Sequence, residues 1–217
     1  MRQRSQSVDN RQAGASVVEI VIVLVILAIL SAISIPYIFN YQKAYKSEDQ
    51  ALKVVDLMRE AAQTAINRRR TVRIEIDLTD NAVLLIDQSP TPSGTLIKMI
   101  PLELPKDVRI DTIPATVTKP NPPNFNDAAF AVDTVGHLVG GTTVTGHNIW
   151  AARFKSDGSV VTAADVPMSA NVYIFPPVSF GSTTARNNVE IRAITLFGGS
   201  GALRYWKHDG TNFVASL

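Results

Sequence analysis

Between Val17 and Ile35 only Glu19, Ser31 and Ser34 interrupt a run of apolar side chains, and Ile20–Leu30 is unbroken. As an α-helix at ~1.5 Å per residue this stretch is ~28 Å long, close to the ~30 Å hydrocarbon core of a bilayer. Beyond Pro36 the helical period persists but becomes one-sided. Ala51, Val55, Met58, Ala62 and Ala65, with Leu52 and Ile66 beside them, form an apolar stripe, while Lys46, Asp49, Lys53, Asp56, Arg59, Glu60 and Gln63 take the other faces. Pro36 has no N–H for the Ala32 carbonyl, so a kink or local melting is predicted there, with Ser31 and Ser34 at hand for the freed backbone groups. Arg68-Arg69-Arg70 ends the stripe with cations suited to a helix carboxyl end.

Past Arg70 the period changes to two. Val72, Ile74, Ile76 and Leu78 alternate with Arg73, Glu75 and Asp77, and Thr79-Asp80-Asn81 turns the chain into a second strand, Ala82–Asp87. Shorter strands are predicted at Leu96–Ile100, Val108–Asp111, Ile149–Phe154, Val160-Val161, Asn171–Phe175, Val189–Phe197, Ala202–Lys207 and Phe213–Ser216. Four prolines (Pro114, Pro120, Pro122, Pro123) and a later group of glycines (Gly136, Gly140, Gly141, Gly146) predict a long loop over about 112–148. The predicted fold is α+β. A long N-terminal α-helix, transmembrane over 15–38 and amphipathic over 39–69, is kinked near Pro36 and packs on an antiparallel β-sheet globular domain, 70–217.

Composition narrows the chemistry. The 217 residues include 21 Lys+Arg and 19 Asp+Glu, a formal charge of +2 that gives no global basic field for nucleic acid. Without cysteine there are no disulfides, thiolate metal sites or thiol nucleophiles. Arg2, Arg4 and Arg11 against Asp9 precede the apolar run, whereas Lys43 and Lys46 follow it beside Glu48 and Asp49. This bias predicts a single pass with a cytoplasmic amino end and everything beyond Tyr37 outside. A cleaved secretory signal, with a cut after Ser34, conflicts with the length of the run and with a carboxylate at Glu19. A plain anchor fits the length and leaves Glu19 to snorkel to the headgroups.

A third reading accounts for the acid. Gly14-Ala15-Ser16-Val17-Val18-Glu19, the apolar run and Pro36 together resemble the signal of type IV pilins and type II secretion pseudopilins. The resemblance implies that prepilin peptidase removes the leader 1–14 by cutting after Gly14, and that it N-methylates Ala15, where the family usually has Phe or Met. Glu19 then stands fifth and Pro36 twenty-second in the mature chain, as in the family. It also implies a bacterial inner-membrane protein with a periplasmic carboxyl-terminal domain. Its partners would be other pilin or pseudopilin subunits, meeting it through the helix, with no cofactor. Removing 1–14 leaves the mature side chains formally neutral. The new amine lies one turn from Glu19, so among parallel helices one copy's Glu19 can meet its neighbour's amine and fix a longitudinal register. Phe154, Asp157 and Gly158, with the closing Gly201-Ala202-Leu203-Arg204, are similar to the H-type minor pseudopilin and FimT-like minor pilin group. The implied function is a structural, minor subunit of a type II secretion pseudopilus or type IV pilus. A major pilin subunit, a DNA-binding minor pilin of natural transformation and an anchored enzyme or receptor are the alternatives.

No catalytic constellation emerges. His137, His147 and His208 are too widely spaced for a local metal motif, and Gly198-Gly199-Ser200-Gly201-Ala202 lacks the second glycine of a nucleophile elbow. No phosphate-binding glycine run precedes a lysine. Asp157-Gly158 and Asp209-Gly210 lack the oxygen ligands of a calcium loop and read as turns. At the carboxyl end Arg186, Arg192, Arg204, Lys207 and His208 sit with Tyr205 and Trp206, a pattern that could hold phosphates and stack on bases. Arg192, Arg204 and Lys207 are the candidate DNA contacts. Alternation sends Arg204 and Trp206 to one face, Tyr205 and Lys207 to the other.

Overall fold

The computed structural model describes residues 16–89, 91, 93–139 and 141–216, and the side chains of 36–44 lie outside that description. Its elements are a helix followed by two antiparallel-rich sheets, an α+β arrangement. The helix, α1 (Val17–Arg68), begins with Ile20 N donating to Ser16 O. Its helical backbone continues through Pro36, so the melting predicted there does not occur. The hydroxyl of Ser34 donates to Leu30 O, one turn back, at 2.8 Å. The chain forms two compact units, residues 1–42 and 43–217.

In the second unit Ala51, Val54, Val55, Leu57, Met58, Ala61 and Ala65 of α1 are all but inaccessible and share one core with strand residues. The buried face is wider than the predicted stripe because residues of both sheets enter that core. Each of its larger aliphatic side chains contributes about 1.5–3 kcal/mol. At the carboxyl end Arg70 N donates to Ala65 O (3.1 Å) and Arg69 N to Ile66 O (3.3 Å), with Arg69 left-handed at φ 52°. This is a Schellman closure with arginine where glycine is usual. The flanking Arg68 and Arg70 both approach the Asp87 carboxylate, at 3.4 and 3.7 Å.

The first sheet comprises β1 (Val72–Asp77), β2 (Ala82–Asp87), β3 (Thr95–Pro101), β5 (Ala131–Val132), β6 (His137–Val139), β7 (Thr142–Val144), β8 (Asn148–Phe154) and β9 (Val160–Val161). The second holds β4 (Arg109–Asp111), β10 (Ala170–Phe175), β11 (Arg192–Leu196), β12 (Leu203–His208) and β13 (Phe213–Ala215). The first runs β5-β8-β1-β2-β3-β6-β7, with β9 also on β8, and the second β13-β12-β11-β10-β4. Pairing is antiparallel except for β3 with β6. Asp77 Oδ1 accepts from Thr79 N (2.7 Å) and Asp80 N (3.0 Å), which makes the turn that sets the β1–β2 register.

Three expectations change. The region 112–148 is not one loop: it contains β5, β6 and β7. Its proline-rich part is docked, since Ala128 N donates to Asn171 O (2.8 Å) and Asn171 N to Asn126 O (2.9 Å) on β10. The strand predicted from Val189 starts at Arg192, because Asn187 Oδ1 accepts from Val189 N and caps a 3₁₀ turn, Asn188–Glu190.

The third change concerns β1. Alternation predicts one solvent face, yet all six of its residues are buried. Val72, Ile74 and Ile76 enter the main core, while Arg73, Glu75 and Asp77 face the other way between Ile86, Leu84 and Ala82 of β2 and Arg153, Ala151 and Ile149 of β8. β5 pairs with β8 on one flank and β6 with β3 on the other, so Asp133–Gly136 straps the chain across this face. Gly136, at φ 70°, allows the strap to lie close: a Cβ there would run into Val144 O and Thr145 Cγ2.

Candidate functional site

The first candidate is the amino-terminal part of α1. Val17–Ile35 is long and apolar enough to cross a membrane, and none of it is buried. Its large apolar side chains are 49–78 % exposed. Glu19 lies in the first turn and is exposed too. Such a surface is unstable in water and needs lipid or other protein. The predicted cleavage and methylation positions, Gly14 and Ala15, lie outside the described residues, as does the side chain of Pro36.

The carboxyl-terminal cations do not form one surface. As predicted, β12 alternates: Tyr205 joins the main core, whereas Trp206 joins a second cluster with Tyr173, Phe175 and Ala193. On that second face Arg204 stacks over the rings of Trp206 and Phe197, at 5.4 and 5.6 Å. Lys207 takes the opposite direction and donates to Glu48 Oε1 of α1 (2.6 Å). Arg192, largely buried, donates to Val189 O (2.7 Å), Ile191 O (3.0 Å) and Glu48 Oε2 (3.3 Å). Arg186 is paired with Glu190. Of Arg192, Arg204 and Lys207, Arg204 alone is free of an ion pair among the described residues. The Asp157 and Asp209 turns are ordinary: Asp157 Oδ1 accepts from Ser159 N and Oγ, and Asp209 Oδ1 from Thr211 N and Asn212 N.

Glu48 thus joins the helix to the closing strands. Its hydrogen bond with Lys207, aided by the charges of Lys207 and Arg192, holds its carboxyl below the usual 4.5. A depressed folded pKa contributes stability that is present above 4.5 and lost as pH falls through the folded value. Glu48→Gln is therefore expected to cost about 1–2 kcal/mol at pH 7, the exposed Lys207 contributing the smaller share, and to flatten the acid limb below about pH 4.5. Urea titrations of both chains at pH 7 and pH 3.5 check this, and a constant difference between them would refute it.

A second constellation was invisible in the sequence. Beneath the strap, Glu75 Oε2 is 3.1 Å from Arg73 Nη2, and Glu75 Oε1 is 3.1 Å from His137 Nδ1, with all three side chains at most 2 % exposed. Arg73 Nη2 also donates to Gly136 O (2.7 Å). Asp133 accepts from Val135 N (2.9 Å) and Gly136 N (2.7 Å). Alongside, His147 Nδ1 is 2.6 Å from Asp77 Oδ2, with Asp80 at 3.7 Å. Glu75, Asp133 and His137 form one ligand-rich group, and Asp77, Asp80 and His147 another, each with one donor atom per residue within 4.8 Å of the others. Desolvation dominates at Glu75 and pushes its carboxyl up to about 7, and desolvation likewise lowers the His137 imidazole. The hydrogen bond with Asp77 raises His147. The hairpin β6–β7 places the two histidines side by side, rings 6.2 Å apart and edge to face. The available signal was three charged residues in a strand that gains neighbours on both sides and must find countercharges on its outer face.

Comparison of the chain with protein-family models, with curated proteins and with solved structures returns no match.

Proposed function

We propose that this chain is a pilin-like structural subunit that prepilin peptidase processes after Gly14 and that assembles through α1 into a type II secretion pseudopilus or type IV pilus, as a minor, H-type or FimT-like component. One observation carries the reading. An uncovered apolar helix bears a carboxylate in its first turn, and the same helix supplies the core stripe of the outer domain. A lone anchor requires the apolar run and makes no use of the acid, whereas a bundle of parallel copies uses both. In this reading the domain beyond Arg70 faces outward.

The DNA-binding alternative is weaker, because Arg192 and Lys207 already neutralise Glu48 and Arg204 is left as the single unpaired cation of the three. Mass spectrometry of the intact protein from membranes tests the main reading. A chain starting at N-methyl-Ala15 is expected. One starting at Met1 or at Ile35 overturns it.

A further inference from the structure

We propose that Glu75, Asp133 and His137 hold a divalent metal ion of the zinc class, which ties the Asp133–His137 strap to the central strand β1. The inference is independent of the assembly helix and rests on geometry and on unmet polar groups. The three donor atoms lie within 4.8 Å of one another, and Glu75 Oε1 and His137 Nδ1 are 3.1 Å apart. Two ligand atoms at ~2.0–2.2 Å from one tetrahedral zinc ion are separated by roughly 3.3–3.6 Å, so the pair reaches that spacing with a few tenths of an ångström of opening.

The second observation is that two of the three ligands, Glu75 and His137, lack partners, while Asp133 is oriented by Val135 N and Gly136 N. Both carboxylate oxygens of Glu75 and Nδ1 of His137 are buried without a hydrogen bond, for neither 3.1 Å contact has hydrogen-bond geometry. Native interiors rarely leave such groups unmet, and a bound ion is one of the few ordinary explanations. Glu75 is fully buried, so its bare anion is costly there, and a dication would relieve that cost. The wider charge balance agrees. Glu75, Asp133, Asp77 and Asp80 face Arg73, Arg153 and His147, so a formal negative charge is left over even with His147 protonated on Asp77.

The neighbouring group is less suited. Asp77 is already satisfied by Thr79 N, Asp80 N and His147, and Asp80 is exposed. A cleft of about 430 Å³, lined by Asp133, Arg73 and Arg153 but not by Glu75 or His137, adjoins the chosen site. Three protein ligands leave a fourth position on the ion for water or a small anion.

The test uses the full chain in detergent, stripped with EDTA and titrated with zinc chloride in a calorimeter, with thermal melts in parallel. One ion per chain and a higher melting midpoint are expected. Glu75→Gln, neutral and isosteric, and His137→Asn should each weaken binding at least about tenfold, whereas Asp80→Asn should leave it unchanged. Zinc-edge absorption fine structure of the wild-type complex needs no variant, and should show one imidazole among oxygen ligands. No saturable binding, binding that survives both Glu75→Gln and His137→Asn, loss in Asp80→Asn alone, or a shell with two imidazoles or none would each overturn the assignment.

Discussion

With Glu19 replaced by leucine, the chain is expected to insert into membranes at least as well as the native protein and to assemble about a hundredfold less. Leucine removes the one charge in Val17–Ile35, and a carboxylate near the end of an apolar helix costs on the order of 1–3 kcal/mol on insertion, so anchoring gains. Assembly moves the other way. In the proposed bundle the native acid would meet the amino terminus of an adjacent copy. Removing one partner of a poorly solvated ion pair costs about 3–5 kcal/mol, which is a hundredfold or more in association. Membrane fractionation and quantitation of sheared filaments from cells carrying each version separate the two effects. Equal filament yield with normal insertion would show that the acid has no part in assembly.

Gly198→Ala is expected to lower the melting midpoint by about 3–10 °C, while Gly199→Ala next to it changes little. A Cβ at Gly198 would lie 2.6–2.7 Å from the O, C and N atoms of Met168, all backbone, so no side chain can swing away. Neither segment can retreat. Gly198 O accepts from Val160 N (2.7 Å), Gly198 N donates to Ser169 Oγ (3.0 Å), and Met168 N donates to Val160 O (3.0 Å). Overpacking of this kind costs about 1–3 kcal/mol, which gives the stated shift in a chain of this size. A Cβ at Gly199 meets nothing within 4 Å. Calorimetric scans of the two variants decide the matter, and coincident midpoints would mean that this contact does not limit the turn.

The parts of the fold legible in the sequence are those with a long, regular period. The apolar run and the spacing of Ala51, Val55 and Met58 mark α1, and strict alternation with a Thr79-Asp80-Asn81 turn marks β1 and β2, whose bounds match the prediction at Val72, Ala82 and Asp87. Alternation also separated Arg204 and Trp206 from Tyr205 and Lys207. Tertiary cover was not legible. Two- and three-residue strands such as Ala131–Val132 and Thr142–Val144 have no period to detect, so the strap read as loop and the outward face of β1 read as wet. His137 and His147 looked unrelated because the reversal through β6 and β7, and the bonds of Asp133 with Gly146 and His147, bring them together only in the fold. Arg192 and Lys207 read as free cations because their partner, Glu48, lies far back in the sequence on the helix.

The strands that terminate each sheet have a consequence for a subunit of the proposed filament. β5 and β7 bound one sheet, β13 and β4 the other, and each is only two or three residues long. A ladder needs a longer row of open amides to recruit a foreign strand, so these four short strands are poor templates, and the long open edge lies at β3, which meets β6 only at Thr95. In a filament of the proposed kind, neighbouring copies would then meet through side chains or through the helix at those four short ends, and Thr95–Pro101 is the place where one sheet could extend into the next.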